Sequence, residues 1–96
     1  MAAEDPLIRL RAFPNPFAEW VQARIELLPG ATRAEYRFAI YDALGRLVEF
    51  LPTQTLSPGQ ETTVFWDGAD MPDGIYFLVV EGPHGKARLK LVKAGG

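Results

Sequence analysis

The chain has no cysteine, so neither a disulfide framework nor a thiolate zinc site can hold it together, and its stability must come from packing. The missing thiols also remove the usual positive sign of an oxidising compartment, without placing the chain in a reducing one. Long hydrophobic runs are absent as well. The longest apolar stretches are about five to seven residues, against the roughly 20 that a membrane-spanning helix needs, which argues against direct membrane insertion. The N-terminus lacks a basic segment followed by an apolar one, so an export signal would have to lie outside this chain. The start at Met1-Ala2-Ala3 reads as that of a piece of a longer protein. An excess of charge of one sign is missing too: ten basic against twelve acidic residues leave a formal charge of −2, mixed along the chain. No field of that kind holds a nucleic-acid backbone or an anionic membrane.

What is present is ordinary globular material. With 48% hydrophobic and 23% charged residues in 96, the chain is expected to fold as a single domain over 1–96, with 1–12 a linker and first-strand region. Short β-favouring runs alternate with Pro, Gly, Asn and Asp, the rhythm of a sandwich or barrel rather than of βαβ units. The first run is 7–13, closed by Phe13-Pro14-Asn15-Pro16-Phe17, a rigid corner whose prolines cannot continue a ladder. Val21, Ala23, Ile25 and Leu27 alternate with polar residues and predict a half-buried strand, as do Tyr36, Phe38 and Ile40. Asp42-Ala43-Leu44-Gly45 predicts a hairpin turn into a fourth strand over 47–51, followed by a loop over 52–59. Strands over 61–66, 74–81 and 86–93 complete an all-β, immunoglobulin-like β-sandwich of about seven antiparallel strands.

Candidate chemistry is sparse. His84 is the only histidine, placed at the loop tip Gly82-Pro83-His84-Gly85 with no partner indicated in sequence, so no catalytic residue is assigned. Asp67, Asp70 and Asp73 lie close together between two strands. Oxygen-rich loops hold calcium, yet Asp before Gly is also plain turn chemistry, and the turn is the simpler reading; no metal and no cofactor is expected. Trp66 follows Thr62 and Val64 at period 2 and should face the core. Trp20 is harder to place and leaves a sugar-stacking role open. Lys86, Arg88, Lys90 and Lys93 are expected on the solvent side of the last strand, as edge guards or as a docking surface.

Five motifs occur in order: Pro14-Asn15-Pro16-Phe17; Ile40-Tyr41-Asp42-Ala43-Leu44-Gly45-Arg46-Leu47-Val48; Trp66-Asp67-Gly68; Asp73-Gly74-Ile75-Tyr76-Phe77; and Lys90-Leu91-Val92-Lys93. Together they resemble the type A C-terminal sorting domain of the type IX secretion system, over nearly the whole chain. The resemblance implies a non-catalytic β-sandwich at the end of cargo proteins of Bacteroidota and related bacteria. It implies passage through the periplasm to the outer-membrane surface, type IX translocation and attachment proteins as partners, and a covalently linked N-terminal cargo. The hairpin and Trp-Asp-Gly segments are also similar to the immunoglobulin-like domain of the flagellar hook-capping protein, an assembly module. The basic-apolar ending favours the sorting family, although Ala94-Gly95-Gly96 runs on past its lysine. Tyr41, Asp42, Gly45, Trp66, Asp67 and Gly68 read as residues that make the fold. Recognition is expected at Pro14, Asn15 and Pro16, at Gly74 and Tyr76, and at Lys90, Leu91, Val92 and Lys93.

Overall fold

The computed structural model describes residues 4–95; Met1 to Ala3 of the expected linker region and the final Gly96 lie outside the described residues. The described residues form seven strands: β1 Ile8–Phe13, β2 Trp20–Leu27, β3 Ala34–Asp42, β4 Leu47–Leu56, β5 Glu61–Asp67, β6 Gly74–Gly82 and β7 Gly85–Lys93. They pair antiparallel in two sheets, β1-β2-β5 and β4-β3-β6-β7, the architecture of an immunoglobulin-like sandwich. No helix occurs among the described residues.

Period-2 alternation does the sorting. Val21, Ala23, Ile25 and Leu27 of β2 and Val64 and Trp66 of β5 face Tyr36, Phe38 and Ile40 of β3 and Tyr76, Leu78 and Val80 of β6 across the sandwich. Burial of these side chains is the main source of stability in a chain without covalent staples.

Two expectations need correction. Of the run 52–59 only 57–59 is a loop, because β4 continues through Pro52 to Leu56. A proline is tolerated there because β4 is the edge of its sheet, and the register shift between Tyr36 and Phe38 leaves an extra β4 residue beside it. Lys93 is not on the solvent face. Residues 86, 88 and 90 point outward, whereas 87, 89, 91 and 93 share the inward face, so Lys93 falls by parity into the core layer and is only 5% exposed.

Candidate functional site

One end of the sandwich gathers segments that are far apart in the chain. The corner after β1 comes first. Both Phe13-Pro14 and Asn15-Pro16 are cis, and the corner lies along the outer edge of β7. There the Asn15 side chain acts as a substitute strand: its Nδ2 donates to the Lys90 carbonyl at 3.0 Å, and its Oδ1 accepts from the Val92 N–H at 2.9 Å. The backbone continues the pairing, with Phe17 N–H donating to Val92 O at 2.8 Å and Ala94 N–H to Phe17 O at 3.0 Å. An edge whose donors and acceptors are used in this way is closed to casual strand addition.

Beneath the corner, Phe17 is fully buried and meets Trp66 edge-on, with centroids 5.7 Å apart; Trp66 in turn meets Tyr76 edge-on at 5.2 Å. These are favourable aromatic geometries. Trp66 is 3% exposed and its indole N–H donates to Glu49 Oε1 at 3.1 Å, so the ring is buried without an orphan donor. Gly68 lies against this stack: a β-carbon there would sit 3.2 Å from both the Phe17 and the Trp66 rings. Tyr76, near the start of β6, donates its hydroxyl to Pro72 O at 2.6 Å. This is the i to i−4 tether of a tyrosine corner, and burial pushes its phenol above the usual range, with the charges of Asp42 and Asp73 adding to the effect.

The Asp-rich loop is organised from inside. Asp67 Oδ1 accepts from Ala69 N–H at 3.0 Å, an Asx turn. The Lys93 ammonium donates to Met71 O at 2.7 Å and Ala69 O at 3.5 Å and stands 3.8 Å from the Asp73 carboxylate. The loop thus wraps its carbonyls around a cation that the chain itself supplies. Across the β3–β6 pair, Tyr76 lies opposite Asp42, which brings the β3–β4 hairpin to the same end. Asp42 accepts from the backbone N–H of Arg46 and Leu44 and from the Arg46 guanidinium, all at 2.9 Å. Those bonds, that from Arg46 N–H first, hold its carboxyl below the usual range.

All five motifs therefore meet at one pole. Gly74 pairs with Lys93 and Tyr76 with Leu91 in the β6–β7 ladder, so the expected recognition residues are neighbours in space. Pro14, Asn15, Pro16, Gly74 and Lys90 are exposed there, while Tyr76, Leu91 and Lys93 are inside. A model of the secretion system C-terminal sorting domain matches residues 11–94. The chain belongs to this sorting-domain family. It is the family of type IX secretion signals, and it is not a catalytic one. No curated protein and no solved structure matches the chain.

Other candidate residues of the sorting domain fall elsewhere. His84 is at the opposite pole and is not partnerless: its Nε2 lies 2.9 Å from Thr32 Oγ1, both exposed. Among the described residues no carboxylate forms a hydrogen bond or ion pair with that imidazole, so the pair lacks the orienting group of a nucleophile relay. Trp20 is 50% exposed on the outer face of the three-stranded sheet, beside Phe65 at 62%. Their rings are inclined at 54° and do not form one plane on which a sugar would stack. The Asn15 bridge, the Glu49 acceptor and the Lys93 cradle had no sequence signal beyond the parity of Lys93, because each joins segments that only tertiary folding brings together.

Proposed function

We propose that this domain is a signal that directs an N-terminally linked cargo protein through the periplasm and across the outer membrane by the type IX system, and that it serves in attachment at the cell surface. Its partners on this reading are the translocation and attachment proteins of that system. Recognition rests on the exposed rim of the motif pole: Pro14, Asn15 and Pro16 on one side, Gly74 and Lys90 on the other, with Tyr76, Leu91, Val92 and Lys93 holding that rim in shape. The observation behind this reading is the Asn15 bridge. It fastens the first motif to the last, so that two segments at opposite ends of the chain share one rim. Exposed residues on a rigid scaffold are where binding is expected.

The test is a folded reporter with an export signal, followed by residues 13–96, in a bacterium with a type IX system. The reporter should reach the surface. Lys90→Glu should hold it in the periplasm while leaving the melt of the isolated domain unchanged, since Lys90 is exposed. Retention of the intact fusion in the periplasm would sink the sorting reading. Normal export of the Lys90 variant would move recognition to another part of the surface.

A further inference from the structure

Two aromatic rings on the outer faces of the sandwich each carry an arginine of the chain itself. The Arg24 guanidinium stands 4.8 Å from the Phe13 centroid, and that of Arg88 stands 5.5 Å from the Phe77 centroid. Trp20 and Phe65 lie on the same face as Phe13, 50% and 62% exposed, and no cation of the described residues stands over either ring. Large rings left to water in this way mark a surface that meets something else.

Strand pairing sets a carboxylate beside the two rings. Trp20 opens β2 directly opposite Asp67 at the end of β5, and Phe65, two residues before Asp67, shares its outward face. The ring centroids are 6.1 Å apart and the planes inclined at 54°, so the pair forms a wedge. Asp67 uses Oδ1 to accept from Ala69 N–H, and its Oδ2 has no partner among the described residues. Glu19 is held close by, since its carbonyl accepts from Gly68 N–H, and Asp70 lies in the same loop. These three carboxylates are exposed, and none has a cation in ion-pair range among the described residues. The cations on this side of the molecule are engaged elsewhere: Arg9 pairs with Glu26, and Arg11 and Arg24 with Glu61. Lys93 is 5% exposed beneath the loop, bonded to the Met71 and Ala69 carbonyls and 3.8 Å from Asp73.

We infer that the wedge of Trp20 and Phe65 binds an arginine side chain on the surface of a partner protein, with the guanidinium against the rings and its N–H groups on Asp67. A cation is attracted by a ring face within about 6 Å of the centroid, and rings this close are reached together from one point. The inclination that denies a sugar its flat platform is no obstacle to a cation. Arginine is favoured over lysine because its planar fork stacks on a ring while donating to a carboxylate, and the chain's own two ring contacts both use arginine. A choline headgroup has no donor for Asp67 and would bring a phosphate towards three carboxylates. The inference goes beyond the sorting reading and does not depend on it.

The probe is a short blocked peptide with one arginine among glycines, titrated into the whole chain and read at the indole N–H signals. The Trp20 signal should shift saturably, with a dissociation constant no higher than about 20 mM that rises with salt. The Trp66 signal, buried and bonded to Glu49, should stay in place. Citrulline in place of the arginine keeps the shape, removes the charge and should weaken binding by at least about fivefold. Phe65→Ala should weaken it by at least about threefold, as should Asp67→Asn, which preserves the turn bond to Ala69 N–H. Phe50→Ala, on the other sheet, should leave it unchanged. A Trp20 signal that does not saturate, equal binding of the citrulline peptide, or wild-type binding by both the Phe65 and Asp67 variants would each overturn the inference. A lysine peptide that binds as tightly would overturn the choice of arginine. Tighter binding of tetramethylammonium than of the peptide would make the wedge a headgroup site instead of a protein contact.

Discussion

The motif pole and the opposite pole are built from the same number of crossings but by different means. At the opposite pole the connections are closed largely by backbone turns: Leu28 N–H to Leu7 O, Ala31 N–H to Leu28 O, Gly59 N–H to Leu27 O. Its long-range side-chain contacts, Thr32 with His84 and Arg33 with Ser57, join exposed groups. At the motif pole, side chains do the joining: Asn15 reaches β7, Trp66 reaches Glu49, and Lys93 holds the loop before β6. Each pole has a buried tyrosine bonded to a carbonyl four residues upstream, Tyr36 to Thr32 O and Tyr76 to Pro72 O. Each also has a glycine kept small by an aromatic ring, since a β-carbon on Gly82 would fall within the Tyr36 ring as one on Gly68 would crowd Phe17 and Trp66. The shared tyrosine and glycine devices belong to the fold. The difference lies in the side-chain bridges, and these coincide with the sorting-family motifs.

The comparison breaks most readily at Trp66. Trp66→Ala removes the ring that joins Phe17 to Tyr76 and is expected to cost about 3–5 kcal/mol, enough to unfold much of a marginal domain. Urea denaturation of the variant measures it. A midpoint close to wild type would mean that the pole does not depend on its aromatic stack.

Lys93 sharpens the contrast. Lys93→Met keeps the stem packed but strips the donor from the Met71 and Ala69 carbonyls, at an expected cost of about 1–3 kcal/mol. Lys93→Glu should cost more, because it sets a buried carboxylate among carbonyl oxygens. Lys90→Ala, on the outer face, should stay within about 0.5 kcal/mol of wild type. Three equal midpoints would show that the cradle carries no weight in stability.

Lys93 also marks the limit of what was legible in the sequence. Short β-favouring runs between turn residues located seven strands, the fourth only in its first half, and alternation buried Trp66, because period-2 patterning follows directly from which face of a strand meets the core. The same rule assigns Lys93 inward, but a lysine on an apolar face is normally discounted, and the reason it is tolerated lies in carbonyls more than twenty residues earlier. Pro52 is a similar case: its place in β4 depends on that strand being an edge, which is set by pairing and not by local composition. The closing of β7 by Asn15 is a contact between residues 75 and 77 positions apart. No spacing rule reaches that far. The motif residues were readable only as turns and core, and their gathering at one pole is a property of the topology.

Alkali tests the two poles by the feature they share. Burial, and then the charge of Asp5, raises the Tyr36 phenol above its ordinary value, as burial raises Tyr76. The folded state therefore holds these protons more tightly than the unfolded chain does. Their contribution is fully present below about pH 10 and is lost as pH rises through the raised folded values. Stability measured by denaturant should fall across that window. Tyr36→Phe and Tyr76→Phe should each make the fall shallower, while also removing a bond to Thr32 O or Pro72 O at neutral pH. A fall of unchanged steepness in both variants would assign the alkaline loss to other groups.

The smallest effect is expected at Thr32, and it separates the poles most finely. The Thr32 hydroxyl and His84 ring are 2.9 Å apart, the same length as the bond from Val92 N–H to Asn15. Distance alone would rank them equally. The Thr32 contact, however, joins two exposed side chains, and water replaces either partner at little cost, so Thr32→Val should change stability by no more than about 0.5 kcal/mol. Asn15 is exposed as well, but it makes two bonds at once to the backbone of a strand edge, and Asn15→Ala gives up both together and opens that edge of β7 to water. Its cost should be about 1 kcal/mol, with faster amide exchange at Val92 and little change at residues 82–85. Equal losses in the two variants would show that the opposite pole is tied as firmly by its exposed contacts as the motif pole is by its bridge. The distinction between fold-making turns and a motif-built surface would then have no energetic basis.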